Sequence, residues 1–72
     1  MKVYGKSKGC ITCQQTKMFL DMNNVEYEFI DVEQDVAARE RLVDLGFAAL
    51  PVIEVDGEMW SGFDPGKLSK YV

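Results

Sequence analysis

Gly9-Cys10-Ile11-Thr12-Cys13-Gln14-Gln15-Thr16-Lys17 is the stretch on which the fold turns. Two cysteines stand two residues apart, and their surroundings decide whether they bind a metal, lock a loop or exchange electrons. Upstream, Lys2 to Tyr4 has strand character through Val3 and Tyr4, and Gly5 to Gly9 is a turn-rich loop. Downstream, Ile11, Met18, Phe19 and Met22 fall on helical spacing from about Ile11 to Asn23, where Asn23-Asn24 supplies a stop. Cys10 is therefore expected at a helix N-terminus, with Cys13 one turn further in. The unpaired N–H groups and the positive end of the helix dipole favour a thiolate on the first sulfur. Lys6 and Lys8 are candidate cations that add to that effect.

Outward from this stretch the pattern alternates. Glu26 to Val32 reads as a strand with Tyr27, Phe29, Ile30 and Val32, followed by a helix from about Gln34 to Leu45 carrying Val36, Ala38, Leu42 and Leu45, with Gly46 as its C-terminal stop. Pro51 to Val55, the pair Asp56-Gly57, and Glu58 to Ser61 form a strand, a two-residue turn and a strand. Asp64-Pro65 then supplies the N-cap and first residue of a short closing helix through Leu68 and Tyr71. The expected order is β-α-β-α-β-β-α. Strands joined by a helix run parallel and strands joined by a tight turn run antiparallel, so the prediction is a mixed four-stranded sheet flanked by three helices.

Length and composition bound the function. At 72 residues the chain has room for one domain, taken as residues 1–72, and one core. Its hydrophobic fraction of 47% suits a globular core, and no apolar run approaches the roughly 18 residues of a membrane span. The first residues carry positive charge without the apolar stretch of a secretory signal, so the cytoplasm is the expected location. In that compartment thiols stay reduced, and a close cysteine pair reads as catalytic or metal-binding. A bridge closing so short a ring would contribute only about 2 kcal/mol by loop entropy, against about 3 for a 15-residue loop, so stapling explains it poorly.

Net charge is −4, unevenly spread: Lys2, Lys6, Lys8 and Lys17 stand among the first 20 residues without an acid, while the remainder holds four bases against twelve acids. The cysteines lie in the one basic stretch. An acidic chain overall lacks the basic face that nucleic-acid binding requires. A structural zinc site needs four ligands, and with two Cys and no His only carboxylates or a second copy of the chain could complete it. Thiol–disulfide exchange is the leading reading. The alternatives are a non-enzymatic dimer sharing zinc or an iron-sulfur cluster, and a pair of inert buried cysteines.

With the pair placed between a first strand and a first helix, and Ala49-Leu50-Pro51-Val52 before the third strand, the chain resembles the thioredoxin superfamily. A generic X-Pro bond is cis only about 5–6% of the time. The resemblance nonetheless implies a cis Leu50-Pro51 bond facing the cysteines, neighbouring backbone that pairs with an extended substrate segment, and Leu50 shaping the contact surface. It also implies a minimal thioredoxin-like, glutaredoxin-like fold.

Within that superfamily the chain is similar to the NrdH-type redoxins over nearly its whole length. The similarity rests on Cys10-Ile11-Thr12-Cys13 followed by Thr16-Lys17, on Gly46-Phe47 ahead of Pro51, and above all on Trp60-Ser61-Gly62-Phe63 followed by Pro65. It implies a small dithiol electron carrier, expected as a monomer without a bound cofactor, that takes electrons from NADPH-dependent thioredoxin reductase. Its recipient would be a class Ib ribonucleotide reductase. In this reading Cys10 attacks and Cys13 resolves, Ile11, Thr12, Leu50, Pro51, Gly62 and Phe63 meet the partner, and Trp60, Ser61 and Asp64 support them. Lys6 and Lys8 join the support as the cations of the basic first loop, whose length differs from that of typical family members, so that their place is read from this sequence alone. Ser61-Gly62-Phe63-Asp64 also comes near the run with which glutaredoxins hold glutathione, so a glutathione-dependent glutaredoxin is the rival. Against it, Ala49-Leu50 replaces the Thr-Val usual in glutaredoxins, and Ile11-Thr12 replaces their Pro-Tyr. Trp60 and Phe63 read equally as core packing, and Asp64 as an N-cap.

Overall fold

Alternation along one central strand sets the two faces of the molecule. The computed structural model describes residues 1–72, and β1 (Lys2–Gly5) lies inside its sheet. On one side runs β2 (Glu28–Asp31), parallel to it with Val3 opposite Phe29. On the other runs β3 (Val52–Val55), antiparallel with Val3 opposite Ile53. The edge strand β4 (Glu58–Ser61) pairs antiparallel with β3, so the order is β2-β1-β3-β4. Successive side chains of a strand point to opposite faces, and Val3 and Tyr4 accordingly enter different cores. Val3, Leu20, Ile53, Val55, Trp60 and Leu68 pack on the face covered by α1 (Ile11–Met22) and α3 (Pro65–Leu68), which a 3-10 turn at Ser69–Tyr71 extends. Tyr4, Val32, Leu42 and Val52 pack on the opposite face, beneath α2 (Val36–Asp44). This is the mixed sheet with three helices that the sequence predicts.

The connections follow from local chemistry. Asp56 and Gly57 both have positive φ, 49° and 80°, as a two-residue turn matched to strand twist requires. Helix α1 ends with Asn24 at φ 56°, where the Val25 N–H donates to the Leu20 carbonyl at 2.9 Å. Helix α2 ends the same way through Gly46 at φ 87°, with the Phe47 N–H on the Leu42 carbonyl at 3.0 Å. At the other end, Asp64 accepts the Lys67 N–H at 3.1 Å and Pro65 occupies the first helical position.

Two expectations need correction. The apolar spacing that reveals α1 does not mark its buried face: Ile11, Met18 and Met22 are 75%, 62% and 78% exposed, and Phe19 is half-buried. The helix buries Cys13, Thr16 and Leu20 instead, because the face that meets the sheet must admit the second cysteine. Helix α2 is shorter than expected, starting at Val36 because the Asp35 carboxylate accepts the Ala38 N–H at 3.0 Å and caps it there. Only Leu42 of this helix is buried, Ala38 is half-buried, and Val36 and Leu45 face outward.

What ties α2 to the sheet is polar. Tyr4, 3% exposed, donates its hydroxyl to Glu54 Oε1 at 2.8 Å. Arg41 reaches down from α2, with Nη1 2.8 Å from the Tyr4 hydroxyl oxygen and 3.1 Å from Glu54 Oε1, and Nη2 3.0 Å from Glu54 Oε2. The guanidinium, then the tyrosine hydroxyl, hold the Glu54 carboxyl down from 4.5 to about 2. Burial, followed by the carboxylate, pushes the Tyr4 phenol up. The ion pair is partly open to solvent, where screening limits such pairs to about 0–1 kcal/mol; the buried tyrosine gives it geometry. Glu54 is more acidic folded than unfolded, so its contribution is complete above its unfolded value near 4.5 and is lost as pH falls toward about 2. Denaturant titrations across that window will show stability falling on acidification, and Glu54→Gln will flatten that fall. A variant with the same acid slope as the parent would remove Glu54 from the account.

Candidate active site

Cys10 and Cys13 are joined in a disulfide. Cys10 is the N-cap of α1, in extended conformation with φ −131° and ψ 99°, and its sulfur accepts the Cys13 N–H at 3.2 Å. A sulfur in this position takes up one of the N–H groups that a helix start leaves unpaired. The two sulfurs differ in access. Cys10 is half-buried, whereas Cys13 has no exposed surface.

Gly5 explains how Cys13 reaches that depth. A Cβ on Gly5 would stand 2.8 Å from Cys13 Sγ, closer than side chains tolerate, and 3.2 Å from Phe29 Cε1, a tight contact from which the ring would have to give. The bare backbone at the end of β1 therefore lets α1 settle onto the sheet. Lys17 lies over the Phe29 ring, its Nζ 4.2 Å from the centroid, and covers the same spot.

The loop from Gly5 to Cys10 is anchored by the Ser7 hydroxyl, which donates to Asp31 Oδ2. That bond, followed by the Glu33 N–H, lowers the Asp31 carboxyl. Lys6 and Lys8 are both exposed on this loop. Lys6 borders an apolar groove formed with Phe47, Leu50, Leu42 and Val43, whose other cation is Arg39. Lys8 borders a polar recess with Ser7, Asp31, Glu33 and Gln34. Neither lysine is hydrogen-bonded or ion-paired to Cys10.

The Leu50-Pro51 bond is cis, with Pro51 buried and Leu50 half-buried. Thr12 connects this loop to the cysteines, its hydroxyl donating to the Leu50 carbonyl at 2.9 Å while Oγ1 lies 3.6 Å from Cys10 Sγ. The Thr16 hydroxyl, fully buried, returns to the Thr12 carbonyl at 2.8 Å. Ile11, between the cysteines, is outside. From the other direction the Gly62 N–H, at φ 88°, donates to the Pro51 carbonyl at 2.7 Å.

The Trp60 segment divides between packing and surface. Trp60 is 6% exposed in the first core, stacked against Tyr71 at 6.4 Å, with Lys67 Nζ 5.5 Å over its ring. Phe63 is half-buried and meets Phe19 edge-on at 6.1 Å. Ser61 is exposed, and Asp64 is half-buried with its carboxylate capping α3. Thus Cys10, Thr12, Leu50, Pro51 and Gly62 form one connected chain of contacts, whereas Trp60 and Asp64 belong to the scaffold beside it. No group of three or more His, Cys, Asp or Glu side chains is arranged to hold a metal ion.

The glutaredoxin family model matches residues 1–60. The chain belongs to the glutaredoxin family, among its NrdH-type members. The glutaredoxin-like protein NrdH of Lactococcus lactis subsp. lactis is 32% identical over 68 residues, which are 94% of this chain and 93% of the relative. Among solved structures, the NrdH-redoxin of Escherichia coli superposes with a TM-score of 0.88 at 30% identity, covering 97% of this chain and 93% of that one. A thioredoxin-like protein reaches 40% identity with a TM-score of 0.85, covering 99% of this chain and 97% of its own. The redoxin is a thiol–disulfide oxidoreductase, and its cysteine pair is the disulfide already described.

Sequence reasoning missed the close approach of Cys13 to Gly5, the complete burial of Thr16 and the Thr12 bridge to Leu50. A glycine at a strand end signals close approach of another group, and that signal was present for Gly5; a hydroxyl reaching 38 residues along the chain leaves none. Overpacking a core contact costs about 1–3 kcal/mol, so Gly5→Ala will destabilise the oxidised protein by about that much in urea titrations. An unchanged urea midpoint would show that Cys13 has room to move.

Proposed function

We propose that this redoxin is reduced by NADPH-dependent thioredoxin reductase and passes an electron pair to a class Ib ribonucleotide reductase in the cytoplasm, with Cys10 as nucleophile and Cys13 as resolver. The observation that carries the partner assignment is similarity along nearly the full chain to proteins named NrdH, including the E. coli protein whose solved structure addresses a thioredoxin-like activity profile. The difference in exposure between the two sulfurs supports the order of attack.

The mechanism uses the geometry directly. In the reduced protein the Cys13 N–H and the start of α1 stabilise a thiolate on Cys10. That thiolate attacks the accessible sulfur of a partner disulfide, forming a mixed disulfide and releasing one partner thiolate. Cys13, held one helical turn away, loses its proton and attacks Cys10 Sγ, which releases the second partner sulfur and closes the internal disulfide. Two electrons have then moved from the redoxin to its partner. The free Leu50 N–H suits a backbone bond to an extended partner segment, Ile11 and Phe63 offer apolar contact, and the groove bordered by Lys6 and Arg39 extends that surface past Leu50. The protein acts as a monomer and carries no resident cofactor, since the nicotinamide and flavin belong to the reductase.

NADPH oxidation in the presence of a model disulfide decides the electron source. Turnover is expected with thioredoxin reductase and not with glutathione plus glutathione reductase, and Cys10→Ser abolishes it. Turnover in the glutathione arm alone would replace this reading with that of a glutathione-dependent glutaredoxin, in which Ser61 to Asp64 would bind the tripeptide.

A further inference from the structure

Thr12 stands between the reacting sulfur and the proline loop. Its Oγ1 lies 3.6 Å from Cys10 Sγ, and its hydroxyl donates to the Leu50 carbonyl at 2.9 Å. A hydroxyl carries one proton, so it serves one of these acceptors at a time. The charge on the sulfur decides which. A disulfide sulfur is neutral and a weak acceptor, and in the oxidised protein the proton goes to Leu50. A thiolate bears a full negative charge, and hydrogen bonds to ionised acceptors are about twice as strong as neutral ones.

We propose that Thr12 is a catalytic residue of the exchange reaction: its hydroxyl proton turns from the Leu50 carbonyl to Cys10 when that sulfur becomes a thiolate, and turns back when the sulfur enters a disulfide. The thiolate thereby gains a donor in addition to the Cys13 N–H. At the same moment the Leu50 carbonyl loses its internal donor. Because the Leu50 N–H makes no bond within the chain, the residue then presents both backbone groups to an extended partner segment. Oxidised protein presents the N–H and a carbonyl already engaged.

The cycle balances without transfer of the Thr12 proton. The Cys10 thiolate supplies the electron pair of the new S–S bond, the partner's S–S bond breaks, and the departing sulfur carries the negative charge away to be protonated by solvent. Cys10 is now neutral, the hydroxyl returns to Leu50, and the grip on the partner backbone weakens as Cys13 completes the second displacement. Binding strength and redox state are coupled through one rotating O–H bond. This inference rests on Cys10 being the nucleophile.

The test uses the full chain reduced with dithiothreitol, as Thr12→Val, Thr12→Ala and Thr12→Ser, alkylated with iodoacetamide across a pH series with the labelled cysteine identified by peptide mass. Thr12→Val and Thr12→Ala should shift the alkylation midpoint upward, leaving about tenfold less thiolate at a given pH below it, which is one pKa unit. Thr12→Ser should follow the parent. A midpoint unmoved in both hydroxyl-free variants, even with a lowered Tm, would reduce Thr12 to a structural tether and overturn the proposal. First labelling of Cys13 would overturn the nucleophile assignment itself, a failure distinct from that of Thr12. In insulin reduction by the reduced parent protein, added oxidised Thr12→Val should inhibit several-fold more strongly than added oxidised parent, because its Leu50 carbonyl stays free. Equal inhibition would remove the Leu50 half of the mechanism.

Discussion

The approach of α1 to the end of β1 is the contact on which the rest of the molecule depends. Cys13 Sγ rests where a side chain of Gly5 would be, and that single absence sets the height of the helix above the sheet. With the helix at that height, Leu20 enters the first core beside Val3 and Ile53, and Thr16 is sealed completely. The same placement brings the N-terminus of α1 level with the proline loop, so that Thr12 spans to Leu50 with one hydroxyl. A redox pair of unequal access then follows from packing alone, since the second sulfur is part of the helix–sheet interface and the first is the cap outside it.

Around that contact the site is assembled from segments that are far apart in the chain. The loop after β1 supplies Cys10 and is tethered through Ser7 to the end of β2. The proline loop enters through Thr12, and the turn after β4 enters through the Gly62 N–H on Pro51. Each link is a hydrogen bond to backbone or to a short side chain, which leaves little rotamer freedom to lose. On the far side of the sheet, the Tyr4, Arg41 and Glu54 cluster holds α2, and with it one wall of the groove beside Leu50. Glutaredoxin-type exchange thus sits on a scaffold whose polar fastenings are as specific as its apolar cores.

Those fastenings mark where sequence reading ends. Features carried by neighbouring residues were legible: the Asp56-Gly57 turn, the Asp64-Pro65 start, Gly46 after α2, and Cys10 at the head of α1. The cis bond at Pro51 came from family resemblance, since the residues around it carry no local signal. Helix α1 was legible as a helix but its facing was not, because its apolar spacing is met by an exposed stripe of Ile11, Met18 and Met22 while the true interface uses a cysteine and a threonine. The Thr12 to Leu50 and Tyr4 to Glu54 bonds span 38 and 50 residues. Nothing at either end announces the other, since any exposed-looking hydroxyl or carboxylate could have stayed in water.

Strand order has a further meaning for the chain in time. Because β1 lies between β2 and β3, the segment that carries both cysteines is completed by residues at the opposite end of the sequence. A nascent chain that has emerged only through α2 has a strand with one edge open, a Tyr4 without its carboxylate, and a Thr12 without its carbonyl. Loop closure over such distances is slow relative to local helix formation. The reactive pair is thus made early in synthesis and housed late, since β3, the proline loop and the Leu50 carbonyl that surround it all come from the last third of the chain.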